Sequence, residues 1–139
     1  MSSMQTPPDR DNLEVAYLGT DYRVEDFPTG PFTIRINESS DALAGLDWAF
    51  ITACNPRSVL LSDEENTRGM ADLEKAVRQG GWRYFHGQGV GKDRRWPPEP
   101  SLLIVEIKEP EAVELAKAFG QNAIVAGRSG EPARLVWVN

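Results

Sequence analysis

The chain has 139 residues, 40% hydrophobic and 26% charged, with a net charge of −6 and a single cysteine. That length suits one domain with a hydrophobic core of its own. One cysteine excludes an intrachain disulfide framework, and the acidic balance argues against a nucleic-acid footprint.

Residues 1–10 are polar and include Pro7 and Pro8, which predicts a frayed leader ahead of a single α+β domain over residues 11–139. They lack the basic-then-apolar pattern of a secretory signal, and no apolar run reaches the length of a membrane span, so the expectation is a cytoplasmic protein.

A short helix is predicted over 12–19, with Leu13, Ala16 and Tyr17 on one face. The turn residues of "DFPTGP" lead into Phe32–Ile36, whose alternation is that of a half-buried strand. A short helix is expected over Ser39–Leu46. Trp48–Cys54 ("WAFITAC") is short and almost wholly apolar, as in a central strand buried on both faces, and Pro56 ends it. Ser62 with Glu65 three residues on is a capping-box signature. The helix it opens carries Met70, Leu73 and Val77 at helical spacing and stops at Gly80-Gly81.

Trp82–Phe85 reads as a strand, followed by a loop through Gly87, Gly89 and Gly91 to Trp96-Pro97-Pro98. Leu102–Ile107 is a second buried strand, Pro110–Phe119 a helix ended by Gly120, Asn122–Ala126 a strand and Ala133–Val138 a terminal strand. From about residue 48 the order is β-α-β-β-α-β. That order predicts a ferredoxin-like split β-α-β core, with two helices on one face of an antiparallel sheet. The Phe32 and terminal strands would extend the sheet.

Chemistry is expected at three polar segments. In the first, the spacing G-x-G-x-G matches neither a dinucleotide fingerprint nor a phosphate loop, so no cofactor is assigned. The loop is nonetheless basic: Arg83, Lys92, Arg94 and Arg95 stand against Asp93 alone. Arg94 and Arg95 are therefore candidates for holding an anion. Glu99, braced between prolines, is a candidate to pair with them or to accept a proton. His86 is the only histidine; it is a candidate general base or a hydrogen-bonding loop residue and, standing alone, excludes an ordinary zinc site, so no metal is expected.

The second segment, "NPRS", offers Asn55, Arg57 and Ser58 as ligand contacts or as turn-formers. Cys54 beside it ends an apolar strand and is expected to be a buried thiol. The third, "FGQNA", offers the amides of Gln121 and Asn122.

"AFITACNPRS", "LSDEEN", "RWPPEPSLLI", "FGQNAIV" and the "ARLVWV" ending, in that order over Leu13–Val138, resemble an uncharacterised bacterial family, a domain of unknown function. The resemblance implies a small stand-alone domain and no particular activity. Where this chain has Cys54, the family pattern more often has a bulky aromatic, which puts a nucleophilic role for Cys54 in doubt. The matching polar residues, Asn55, Pro56, Ser58, Glu65, Asn66, Pro97, Glu99, Ser101, Gln121 and Asn122, fit a ligand site as well as capping and corner roles.

Together these features predict a domain that binds a small polar or anionic, nucleotide-like ligand, with catalysis left open. The alternative is a protein-interaction or homodimerisation module, anchored by Trp96-Pro97-Pro98.

Overall fold

A computed structural model describes residues 10–92 and 97–138. In chain order the elements are α1 (Arg10–Leu18), β1 (Asp21–Val24), β2 (Phe32–Ile34), β3 (Trp48–Ile51), α2 (Asp63–Gln79), β4 (Arg83–Val90), β5 (Glu99–Val105), α3 (Glu109–Ala118), β6 (Ala123–Gly127) and β7 (Arg134–Trp137). The strands form one seven-stranded sheet in the order β2-β1-β4-β5-β3-β6-β7. Every neighbouring pair is antiparallel. Among the described residues no helix is long and apolar enough to cross a membrane.

The near-continuous apolar runs of β3, β5 and β6 lie at the sheet's centre, where both faces are covered. In β3, Ala49 and Ile51 join a cluster with Leu73 and Val77 of α2 and with Ala112 and Ala116 of α3. Both of these helices therefore cover one face, and the two alanines let α3 approach closely. α2 starts where its sequence directs: Ser62 Oγ accepts from Glu65 N–H at 3.1 Å and Glu65 Oε1 accepts from Ser62 N–H at 3.2 Å.

Trp48 and Phe50 point the other way, into a second cluster with Tyr22, Val24, Ile34, Leu103, Val105 and Val125. The sheet curls around this cluster until its two edges meet. Asn37 N–H donates to Ala133 O at 2.8 Å, and Ala133 N–H donates to Glu38 O at 3.0 Å. α1 spans the same side. The Tyr17 ring meets Trp137 of β7 edge-on, with centroids 6.0 Å apart, and the Tyr22 hydroxyl of β1 donates to Tyr17 O at 2.9 Å.

Three expectations change. The glycine segment is strand rather than loop: β4 runs on through His86 to Val90, with Gly87 opposite Val24 and Gly89 opposite Tyr22. A Cβ on Gly87 would lie 2.2 Å from Arg23 O and 3.1 Å from Phe50, so this glycine serves close approach and not flexibility. Its partner β1 has only four residues, too short for a strong periodic signal, although Tyr22 and Val24 do alternate inward. The helix expected over Ser39–Leu46 contracts to a single 3₁₀ turn, Asp41–Leu43, that buries Leu43. The leader predicted over residues 1–10 falls, apart from Arg10 in α1, outside the described residues.

Gly87→Ala should unseat β1 from β4. We expect a loss of about 1–3 kcal/mol, as for other overpacked sites, read as a lower urea midpoint. An unchanged midpoint would show that the close approach is not needed.

Candidate functional site

The chain leaves β3 and must turn before α2, and it does so through a left-handed stretch. Asn55, Arg57 and Ser58 have φ of 45°, 56° and 62°. Non-glycine residues adopt this region at a cost, so the surroundings must hold it. Asn55 supplies most of the grip. Its N–H donates to Asn66 Oδ1 at 2.9 Å, and its Oδ1 accepts from Asn66 Nδ2 and from Leu61 N–H, each at 2.9 Å. Its Nδ2 donates to Glu99 Oε2 at 2.6 Å.

The segment after α3 grips the same turn. Arg57 N–H donates to Gly120 O at 2.7 Å, Asn122 Nδ2 to Ser58 Oγ at 2.9 Å, and Gln121 Nε2 to Cys54 O at 3.2 Å. Gly120 has φ of 69°, and a Cβ there would come 2.9 Å from Pro56, so both conformation and space demand glycine. The segments that begin at Asn55, Glu99 and Gln121 therefore meet at one end of the sheet.

They meet on a cavity of about 460 Å³ between α1 and the second face of the sheet. Asn55, Ser58, Glu99, Ser101 and Gln121 line its polar end, and Tyr17, Tyr22, Phe50 and Val125 line the apolar remainder. Gly89 and Gly91 also face it. On a strand, alternate residues share a face, so the glycine alternation leaves the sheet without side chains where the cavity needs room.

Removal from water raises the Glu99 carboxyl above its ordinary range, and the Asn55 hydrogen bond offsets this only in part. Tyr17 is pushed up to about 12, by burial first and then by the charge of Glu99. Tyr22 moves in the same direction for the same leading reason. Burial also raises Cys54, whose thiol lies 3.6 Å from Pro100 O. Cys54 is thus a protonated, buried thiol and carries no mark of a nucleophile.

The remaining candidates lie elsewhere. Arg57 is exposed and takes no part in lining the cavity, because the left-handed turn directs its side chain outward. Asn122 stands behind the wall and holds Ser58. Arg94 and Arg95, and any pairing of them with Glu99, lie outside the described residues.

His86 is on the helix-covered face, two residues along β4 from Tyr84, whose ring it meets edge-on. Its Nδ1 lies 2.7 Å from Asp26 Oδ2 and its Nε2 lies 2.6 Å from Glu74 Oε1. These two carboxylates raise its pKa. His86 therefore ties β4 to α2 and to the turn after β1, and it shares no site with Glu99. Among the described residues, no group of three or more histidine, cysteine or acidic side chains is arranged to hold a metal ion.

Sequence reasoning missed Tyr22 and Phe50 as cavity residues. Tyr22 sits in the strand too short to read, and Phe50 resembles any core residue until the cavity beside it is seen.

Residues 51–124, more than half of the chain, match a family model described as "Protein of unknown function (DUF3293)", and the chain belongs to that family. The match holds the polar end of the cavity, from Asn55 to Gln121, and leaves out α1, Tyr22 and Phe50. No curated protein and no solved structure matches the chain.

Two outcomes follow from this geometry. Asn66→Ala strips the Asn55 backbone N–H and Oδ1 of a partner, and should cost about 1–3 kcal/mol in urea unfolding; a cost near zero would show that Asn55 does not depend on Asn66. The second concerns pH. Because the folded pKa of His86 is raised, its contribution to stability is full below the unfolded value of about 6.5 and is lost as pH rises through the folded value. The urea midpoint should fall over that interval, and His86→Gln should remove this component; an identical pH profile in the variant would refute the assignment.

Proposed function

We propose that this DUF3293 member is a small-ligand-binding domain whose site is the cavity beneath α1. Its framework is a ferredoxin-like split core extended by β1, β2 and β7. The core reading is supported by the order β4-β5-β3-β6, in which β5 lies between the strands that α2 connects and β3 between those that α3 connects. The ligand reading rests on one observation above the others: a half-buried carboxyl, held by Asn55, in the wall of an otherwise largely apolar cavity. Ligand sites commonly pair a concave apolar wall with a few placed polar groups. Glu99 is the group that binds or exchanges a proton there.

A nucleotide-like anion suits this cavity less well than a neutral or cationic molecule. Among the described lining residues, the positive charge is that of Lys92, which is exposed, while Glu99 is half-buried. An interaction module is the weaker alternative. Val15, Leu18 and Leu60 are the large apolar side chains exposed among the described residues, too few for a docking face.

A fragment library screened by thermal shift tests the reading, with Gly89→Val as the control. A Cβ at Gly89 meets only ordinary contacts, with Thr20 at 3.7 Å and with Tyr22, so the variant should fold while its side chain fills the cavity. Fragments that stabilise the wild type should lose their effect in Gly89→Val. Stabilisation that survives the substitution would place binding elsewhere.

A further inference from the structure

Resting on the cavity as a ligand site, we infer that its ligand is a small organic cation: an amine or amidinium head seated on Glu99, carried by an apolar or aromatic body between Tyr17, Tyr22 and Phe50. One support is where five of the cavity's hydrogen-bond donors point. Thr52 Oγ1 donates to Pro100 O at 2.7 Å, Ser101 Oγ to Glu99 O at 3.0 Å, and Gln121 Nε2 to Cys54 O at 3.2 Å and Phe119 O at 3.4 Å. Tyr22 donates to Tyr17 O, and the Cys54 thiol faces Pro100 O. All five side chains line the cavity and direct their hydrogens at the backbone. These five donors are thereby spent on the backbone, and the Glu99 carboxyl takes its one described hydrogen bond from Asn55.

Glu99 sharpens that demand. A carboxylate withdrawn from water is costly unless a cation or several donors meet it. Asn55 gives it one neutral hydrogen bond, and Asn55 Oδ1 is itself fully engaged with Leu61 and Asn66. Among the described residues, the titratable groups that face Glu99 are Tyr17 from α1, Tyr22 from β1 and Cys54 beyond β3, all protonated and neutral, while Lys92 lies on the exposed rim. An ammonium supplies three donors together with a positive charge. The apolar wall suits the rest of such a molecule: Tyr22 and Phe50 meet edge-to-face with centroids 5.4 Å apart, and aromatic faces attract cations.

The upward shift of Glu99 has burial as its leading cause, which a bound cation would offset. A bound cation would favour the ionised carboxyl, so binding in mildly acidic solution should release a proton.

The test uses the full chain and three matched probes: benzylamine, benzyl alcohol and benzoate, titrated by calorimetry and by NMR. Benzylamine should bind best, and Glu99→Gln should weaken it by about tenfold or more, as expected when a charge-assisted hydrogen bond is lost. If Glu99→Gln fails to fold, the wild type still decides the matter. At about pH 5, near the carboxylate range, benzylamine heats measured in two buffers of different ionisation enthalpy should reveal proton release; none would overturn the inference. Benzyl alcohol or benzoate binding as tightly as benzylamine, and lost in Gly89→Val, overturns the cation while the cavity reading stands. No binding by any probe overturns both.

Discussion

The side-chain amide of Asn55 is the joint on which the rest of this site depends. One residue in a left-handed conformation links the exit of β3, the approach to α2, the first turns of that helix and the carboxyl of Glu99 on β5. An amide suits this position because it offers donors and an acceptor on one short, rigid group. Aspartate would face Glu99 with a second negative charge, and serine could not reach all the partners. The turn's cost is met by hydrogen bonds from two segments, which hold its geometry from within the fold.

The cavity exists because the sheet closes on itself at one end and stays open at the other. Large side chains such as Trp48, Leu103 and Val105 fill the second cluster. Toward Gly89 and Gly91 the side chains run out, and α1 spans the opening with no buried residue of its own. A helix of that kind covers a space without filling it. The apolar cover and the polar end thus come from different parts of the chain, and the family match contains only the second.

Much of this was legible in the residues. The apolar runs of β3, β5 and β6, the capping box at Ser62 and the proline start of α3 each carry a local physical signal, and each element lies within a few residues of its expected place. Asn55, Ser58, Glu99 and Gln121 were legible as polar residues at element junctions, the places where a curled sheet brings its ends together. The alternate glycines misled, because close strand approach and loop flexibility use the same residue, and only the partner strand distinguishes them. For His86 the deciding fact was its face of the strand, which depends on register and which a lone strand does not reveal. Tyr22 and Phe50 were illegible as cavity residues, since a wall of a cavity and a wall of a core have the same composition.

The stitch between Ala133 and the Asn37-Glu38 segment has a consequence beyond shape. An open sheet offers each edge as a template onto which another chain can add a strand. Here the outermost strands are short, three residues in β2 and four in β7, and the chain beside them spends hydrogen bonds on its own opposite edge. At Asn37, Glu38 and Ala133 that template is already taken by the chain itself. Over this stretch the sheet of seven strands turns a closed seam toward its neighbours instead of an edge.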